Sequence, residues 1–344
     1  MNTALRRLLL FGIVMVATGC DNVEWGGIDF ELRSPSEGPV SDQPPAEVEL
    51  VEVELVEDTI SDVPPLGPML YLGYRDGDGD QATLVPVAEI GPEGLFPIEG
   101  IGSVETSRAF AARHFTPGLE FTLFSDGAQV GSFIAEGFSV DDRYCRVRPQ
   151  ILGQIELTPA ATAVQKFLAV PAREASELGY GTYSPVAHTT ELRNTSLRMA
   201  GRVLRDVGVF LPGVVIDIRR DIRIFRARPG ATPTVVATFV YADDLAVGPA
   251  PREAYSIFLA ADDHDGLGYS RTYVDYRLGS RDGKGAARYF DHLDIDGDGT
   301  DEIVLEVMGE RSMWLSTLSR QGADWVEDYR DPCGLASMSS GPAR

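Results

Sequence analysis

From Met69 onward, short apolar runs separated by Gly, Asp and Pro succeed one another, and most alternate apolar with polar residues. Alternation in twos puts one face of a strand in a core and the other in water, as in antiparallel sheet. "MLYLGYR" and "ATLVPVAEI" read as strands joined across "DGDGDQ". "LEFTLFS" and "AQVGSFIAEGF" read as a hairpin across Asp126-Gly127, because glycine tolerates the positive φ of a tight turn. "GQIELTP" and "AVQKFLAVP" continue the series. "VVIDIRRDIRIF", "TVVATFVYA", "YSIFLAA", "RTYVDYR", "EIVLEVM", "SMWLSTLSR" and "WVEDY" extend it through the second half. Two segments switch to helical spacing. The first, "VETSRAFAARHF", follows Ser103 and stops at Pro117-Gly118. The second runs from about Glu191 to Val207, with Leu192, Ser196, Met199 and Val203 on one stripe and Gly208 as its stop. The expected body is mainly β (α+β), built of antiparallel sheets with one long and one short helix. It divides into a β-rich lobe over 68–185 and a helix-plus-β lobe over 186–335, the long helix lying between them.

The flanks read differently. Residues 20–67 are rich in proline and acidic side chains, poor material for a core, and suit an extended tether. They contain "EVELV" twice, from Glu47 to Val56, which reads as an acidic linker or a docking strand. Residues 336–344 are small and polar and read as a disordered tail. Over the whole chain, 52 acidic against 30 basic side chains give a net charge of −22. Such a surface repels phosphate backbones, which excludes nucleic acid as a partner.

The N-terminus, "MNTALRRLLLFGIVMVATGC", sets Arg6 and Arg7 before an apolar run from Leu8 to Val16. That run is shorter than the ~20 residues a membrane-spanning helix needs, so residues 1–19 read as a signal peptide. Ala17-Thr18-Gly19-Cys20 resembles the lipobox of bacterial lipoproteins, departing from it at Ala17, where leucine is usual. The resemblance implies that Cys20 carries lipid (palmitate among it) and becomes the first mature residue. The protein would then be held to a membrane of the cell envelope, with its body in the periplasm or outside the cell. With Cys20 so used, Cys145 and Cys333 are the cysteines left for a disulfide in a compartment where disulfides persist. The alternative is two buried thiols.

The stretch "DIDGDGTDE" carries the most specific chemistry in the body. Calcium takes six to eight oxygen ligands, and carboxylates on alternate residues of a glycine-bearing turn supply them. Asp294, Asp296 and Asp298 offer side-chain oxygens, Thr300 a backbone carbonyl and Glu302 a further carboxylate. An EF-hand needs a bidentate Glu at its twelfth position, and Leu305 stands there. The loop resembles the calcium loop of FG-GAP-type repeats found in integrin-like β-propellers, over about Tyr289 to Tyr329, with Glu302 where Asp is usual. "RDGDGDQATL" (Asp76, Asp78, Asp80) and "ADDHDGLGY" (Asp262, Asp263, Asp265) lack the full pattern and read as hairpin turns. One such loop does not make a propeller.

No nucleophile elbow, zinc-protease helix, phosphate loop or dinucleotide fingerprint occurs in the chain. Of the 4 histidines, His114 and His188 stand apart, while His264 and His292 each sit among aspartates and read as surface turn residues, a transition-metal site or a general base. Arg193, Arg198, Arg202, Arg205, Arg219, Arg220, Arg223, Arg226 and Arg228 run against the overall charge. They read either as partners of the chain's own carboxylates or as a patch for anions or lipid head groups. The expectation is a lipid-anchored, non-catalytic binding or structural module stabilised by Ca2+, with a protein or glycan as ligand. The alternative is an envelope-associated hydrolase acting on polysaccharide, with calcium in a structural role.

Overall fold

Alternation is resolved first in a closed barrel. A computed structural model describes residues 68–92, 94–175, 183–209 and 212–332. The expected signal peptide, lipidated Cys20, tether, "EVELV" repeat, Cys333 and tail lie outside the described residues. The first elements are β1 (Met69–Arg75), β2 (Gln81–Gly91), β3 (Gly94–Phe96), α1 (Val104–His114), β4 (Glu120–Ser125), β5 (Ala128–Asp141), β6 (Arg148–Leu157) and β7 (Lys166–Pro171). Their order is β1-β7-β4-β5-β6-β2, and β1 pairs back onto β2, so six antiparallel strands close on themselves. Strand β3 extends the far end of β2. Closure leaves no free edge on the six strands. Tyr71, Leu84, Phe121, Phe133 and Phe167 fill the interior, joined by Phe110 and Ala111 of α1. Gly73 is required there, because a Cβ at that position would lie 2.0 Å from the Phe167 ring. Helix α1 starts as expected, Ser103 capping it through Thr106.

The second half begins with the single turn α2 (Ala172–Ala175) and the long α3 (Thr190–Val207). There follow β8 (Arg219–Phe225), β9 (Thr234–Tyr241), β10 (Tyr255–Asp262), β11 (Ser270–Leu278), the turn α4 (Gly279–Asp282), β12 (Gly285–Leu293), β13 (Glu302–Gly309), β14 (Met313–Gln321) and β15 (Asp324–Arg330). They form two four-stranded antiparallel meanders, β8–β11 and β12–β15. The β12–β15 sheet is central. One face, with Phe290, Val304, Met308 and Leu315, packs on Leu70, Leu72, Val85 and Leu168 from the outside of the barrel. Its other face, with Tyr289, Ile303, Leu305, Val307 and Trp314, packs on Phe225, Val236 and Phe258 of the β8–β11 sheet. The remaining face of that second sheet takes Met199, Ala200, Val203 and Leu204 of α3. The fold is thus mainly β and antiparallel, and it is not a propeller.

Two expectations are corrected by packing. The long helix does not lie between two lobes. It covers the far side of the β8–β11 sheet, because its stripe matches the apolar residues Phe239, Ile257 and Leu259 there. "VVIDI" is not strand: Val215–Ile218 form a 3₁₀ turn, and β8 starts only at Arg219, where pairing with β9 begins. Ile218 is buried under α3, so tertiary contact overrides the β preference of the valines and isoleucines.

Barrel and central sheet are also tied by a buried ion pair. The Arg148 guanidinium donates 2.8 and 2.7 Å bonds to the Asp331 carboxylate and further bonds to the carbonyls of Pro86 and Val87. Asp331 also accepts from Leu315 N and the Tyr329 hydroxyl. Removing one partner strands the other charge in the interior. Asp331→Ala is expected to cost about 3–5 kcal/mol of folding stability by denaturant unfolding; a change below ~1 kcal/mol would contradict the pair's role.

Candidate metal centre and adjoining cleft

The β12–β13 connection is the acidic loop, and the structure gathers part of its expected ligand set. Carboxylate oxygens of Asp294, Asp296 and Glu302 lie within 4.8 Å of one another. Asp298 falls outside this group; its Oδ1 accepts from Thr300 N at 2.7 Å. Backbone donors shape the turn: Gly297 N and Gly299 N bond Asp294 at 2.8 and 3.0 Å, and Asp298 N bonds Asp296 at 3.0 Å. Glu302 is buried and accepts from Ile295 N at 2.8 Å. Burial, reinforced by Asp296, Asp328 and Asp294, pushes its carboxyl up to about 8. Asp294 is raised too, chiefly by burial. Among the described residues, no side-chain cation forms an ion pair with Glu302.

The residue between the expected ligands does something the motif gives no hint of. Asp301 N donates to Ala227 O at 2.7 Å, which ties the loop to the connection after β8. The Asp301 carboxylate lies 3.5 Å from His292 Nε2, and burial followed by Asp294 raises it to about 7. The same carboxylate closes over Gly127, where a Cβ would sit 2.4 Å from its oxygen. Asp126 and Gly127 are the β4–β5 hairpin tip, both at positive φ (48° and 68°). Asp291 Oδ1 accepts from Asp126 N at 2.9 Å and from His292 N at 2.8 Å, fastening that tip to the central sheet. Asp291 is fully buried, and burial together with Asp126 raises it to about 8. His292 is buried rather than at the surface. It packs tilted against Phe225 with ring centres 4.1 Å apart, holds Nδ1 2.5 Å from the Tyr289 hydroxyl, and is pushed by burial down to about 3. Asp126, Asp291 and His292 also bring ligand atoms within 4.8 Å of one another. Their bonds clamp the hairpin.

Beside this clamp a cleft of about 710 Å³ opens where the barrel and both sheets meet. Lys166, Arg220, Arg223 and Arg288 line it together with Asp221 and the Asp126–Asp291 pair. Lys166 and Arg288 both reach Glu306, which is 1% exposed and also accepts from the Tyr74 hydroxyl. Burial pushes Glu306 up, but Lys166, Arg288 and Tyr74 outweigh it and hold the carboxyl below its usual range. Asp221 is raised by burial and accepts from Ile222 N at 2.9 Å. Ion pairs between described residues account for little of the arginine series. Among the described residues, only Arg223 of the nine approaches a carboxylate, Asp221 at 4.0 Å. His264 is exposed, 2.8 Å from Ala323 O beside Arg320.

Cys145 is disulfide-bonded, while Cys333, its expected partner, is outside the described residues. Compared with known proteins, the chain matches no family model, no curated protein and no solved structure.

Asp291, Asp301 and Glu302 bind protons more tightly folded than unfolded, so the folded form is the more protonated and loses stability as pH rises. His292, lowered, acts in the opposite sense, but its contribution is complete above its ordinary value of 6.5. In chelator the unfolding temperature is therefore expected to fall from pH 6.5 to pH 8, the span up to the Glu302 and Asp291 values. A flat or rising curve in calorimetry would contradict the burial of these carboxyls.

Proposed function

We propose that this chain is a lipid-anchored protein of the bacterial cell envelope whose body is a non-catalytic binding module stabilised by calcium. Asp294, Asp296 and Glu302 would hold the ion, with Asp298 and the Thr300 carbonyl completing an all-oxygen set suited to a hard cation. The observation that carries the calcium reading is Glu302. It is a buried carboxylate with two aspartates in reach, other acids as its side-chain influences and, among the described residues, no cation paired with it. A divalent cation supplies the missing positive charge.

Placement enlarges the ion's task. The loop carrying these residues is tied through Asp301 to the β8–β9 connection and touches the barrel hairpin at Gly127. A filled loop would therefore stiffen a joint of three layers. Anchoring and export rest on the lipobox resemblance of Ala17 to Cys20. The alternative, a polysaccharide hydrolase, has the carboxylate-lined cleft in its favour. Against it, Asp291 and Asp221 are both engaged by backbone donors, and Asp291 by the hairpin itself.

Calcium at a hundredfold excess over Kd contributes ~2.7 kcal/mol to the folded state, a rise in unfolding temperature on the order of 5 °C for a body of this size. The rise is expected to vanish with chelator and in Asp296→Ala, whose exposed side chain can be lost without disturbing the core. No calcium response in the wild type overturns the metal reading. Cys20→Ser is expected to move the protein from the membrane fraction to the soluble one; unchanged membrane association overturns the anchor.

A further inference from the structure

The cleft between barrel and sheets has the marks of a built site. Strands β8 and β12, which form two of its walls, are both edge strands of their sheets. Each carries a bulge at the cleft. Arg220 is skipped between Arg219↔Phe239 and Asp221↔Thr238, and Phe290 between Tyr289↔Leu305 and Asp291↔Val304. A bulge leaves one residue out of the ladder and re-aims its side chain. Here both skipped residues line the cleft. The third wall, from the barrel, brings Lys166 and the hairpin tip at Asp126, a non-glycine residue held at a φ of 48°.

The donors on these walls exceed what the described residues use. Arg220 makes one long bond, 3.4 Å to Asp243 O, and Arg223 stands 4.0 Å from Asp221 with its side chain 56% exposed. A guanidinium carries five N–H donors, so most of theirs remain available. Lys166, which burial lowers, and Arg288 share the single carboxylate of Glu306. The acids on the walls, Asp126, Asp221 and Asp291, are all raised by burial, which weakens the negative charge they set against the basic side chains. The lining thus gathers four basic side chains against three carboxyls that burial raises, in a chain of net charge −22. Its volume falls in the range of roughly 300–1,000 Å³ that small-molecule sites occupy, and the partly exposed Leu245 and Tyr183 give it an apolar side.

We propose that this cleft binds a small anionic polar ligand, a carboxylate or phosphate carried on a body of one or two sugar units in size, with Arg220 and Arg223 gripping the anion. Arginine pairs suit either group, because the planar fork meets two oxygens at once. Leu245 and Tyr183, which line the cleft and are partly exposed, would cover a face of the body. The site deepens the binding-module reading and does not depend on calcium filling the acidic loop.

Titration calorimetry on the full-length protein in detergent, with calcium present, tests it using glucuronate, glucose 6-phosphate and neutral glucose as probes. The expected result is saturable binding of at least one anion and none of glucose. Which anion binds separates the carboxylate source from the phosphate. Arg220→Gln with Arg223→Gln, both exposed side chains, is expected to weaken that binding by about tenfold or more while leaving the unfolding temperature and its calcium response unchanged. Wild-type affinity should also fall as salt rises, a measurement that needs no variant. Binding of neither anion, equal binding of glucose, or a double variant that binds like the wild type overturns the proposal. Because calcium stabilisation is read separately by unfolding temperature, loss of anion binding with that response intact overturns the cleft alone.

Discussion

Strand β13 is buried along its whole length, and most of the molecule is arranged to make that possible. Val304 and Met308 need the barrel on one side, while Ile303, Leu305 and Val307 need the β8–β11 sheet on the other. A strand closed on both faces cannot carry a charge without a partner. Its two glutamates meet that constraint in different ways. Glu306 sits mid-strand and is neutralised by Lys166 and Arg288, brought from the barrel and from β12. Glu302 sits at the strand's start, where the surrounding side chains are themselves acidic. One glutamate ties barrel to sheet with the chain's own cations. The other leaves a deficit of positive charge that an ion from solution would fill.

The same closure fixes the functional geography. Barrel, central sheet and outer sheet cannot be flush everywhere, because β8 and β12 are edges that meet a curved barrel wall. At that seam the bulge at Arg220 leaves an exposed side chain on the cleft, the bulge at Phe290 seats its ring against the barrel, and the Asp126-Gly127 tip is clamped by Asp291. Metal loop and cleft are neighbours through a short chain of contacts: Asp301, His292, Tyr289, Asp291 and Asp126. A stiffened loop would hold the hairpin that forms one wall of the cleft.

Much of this was legible in the sequence where the signal is local. The Asp126-Gly127 hairpin, the Ser103 cap, the Gly208 stop of α3 and the antiparallel character all follow from turn chemistry and period. The acidic loop was legible as a loop with ligand spacing, and three of its five expected contributors converge. What the sequence did not carry is long-range. Nothing in "FSDG" marks Asp126 as a neighbour of Asp291, and nothing in "RRDIRIF" marks Arg220 as the residue left out of a ladder. The Arg148–Asp331 pair joins positions 183 residues apart. Closure of the barrel and stacking of three layers create these meetings, and they depend on topology that alternation alone leaves open. The seat of the long helix depends on that topology too: its apolar stripe shows that it covers something, not which sheet.

Hydrogen exchange read along the chain with and without calcium separates a joint from a pinned turn. If the loop is the joint of three layers, calcium slows exchange at 294–302 and also at the Asp126-Gly127 tip, whose Asp126 N is held by Asp291. Protection should extend to Asp301 N, bonded to Ala227 O. Slowing confined to the turn, with the barrel hairpin unaffected, would contradict that picture and leave the loop as a local staple.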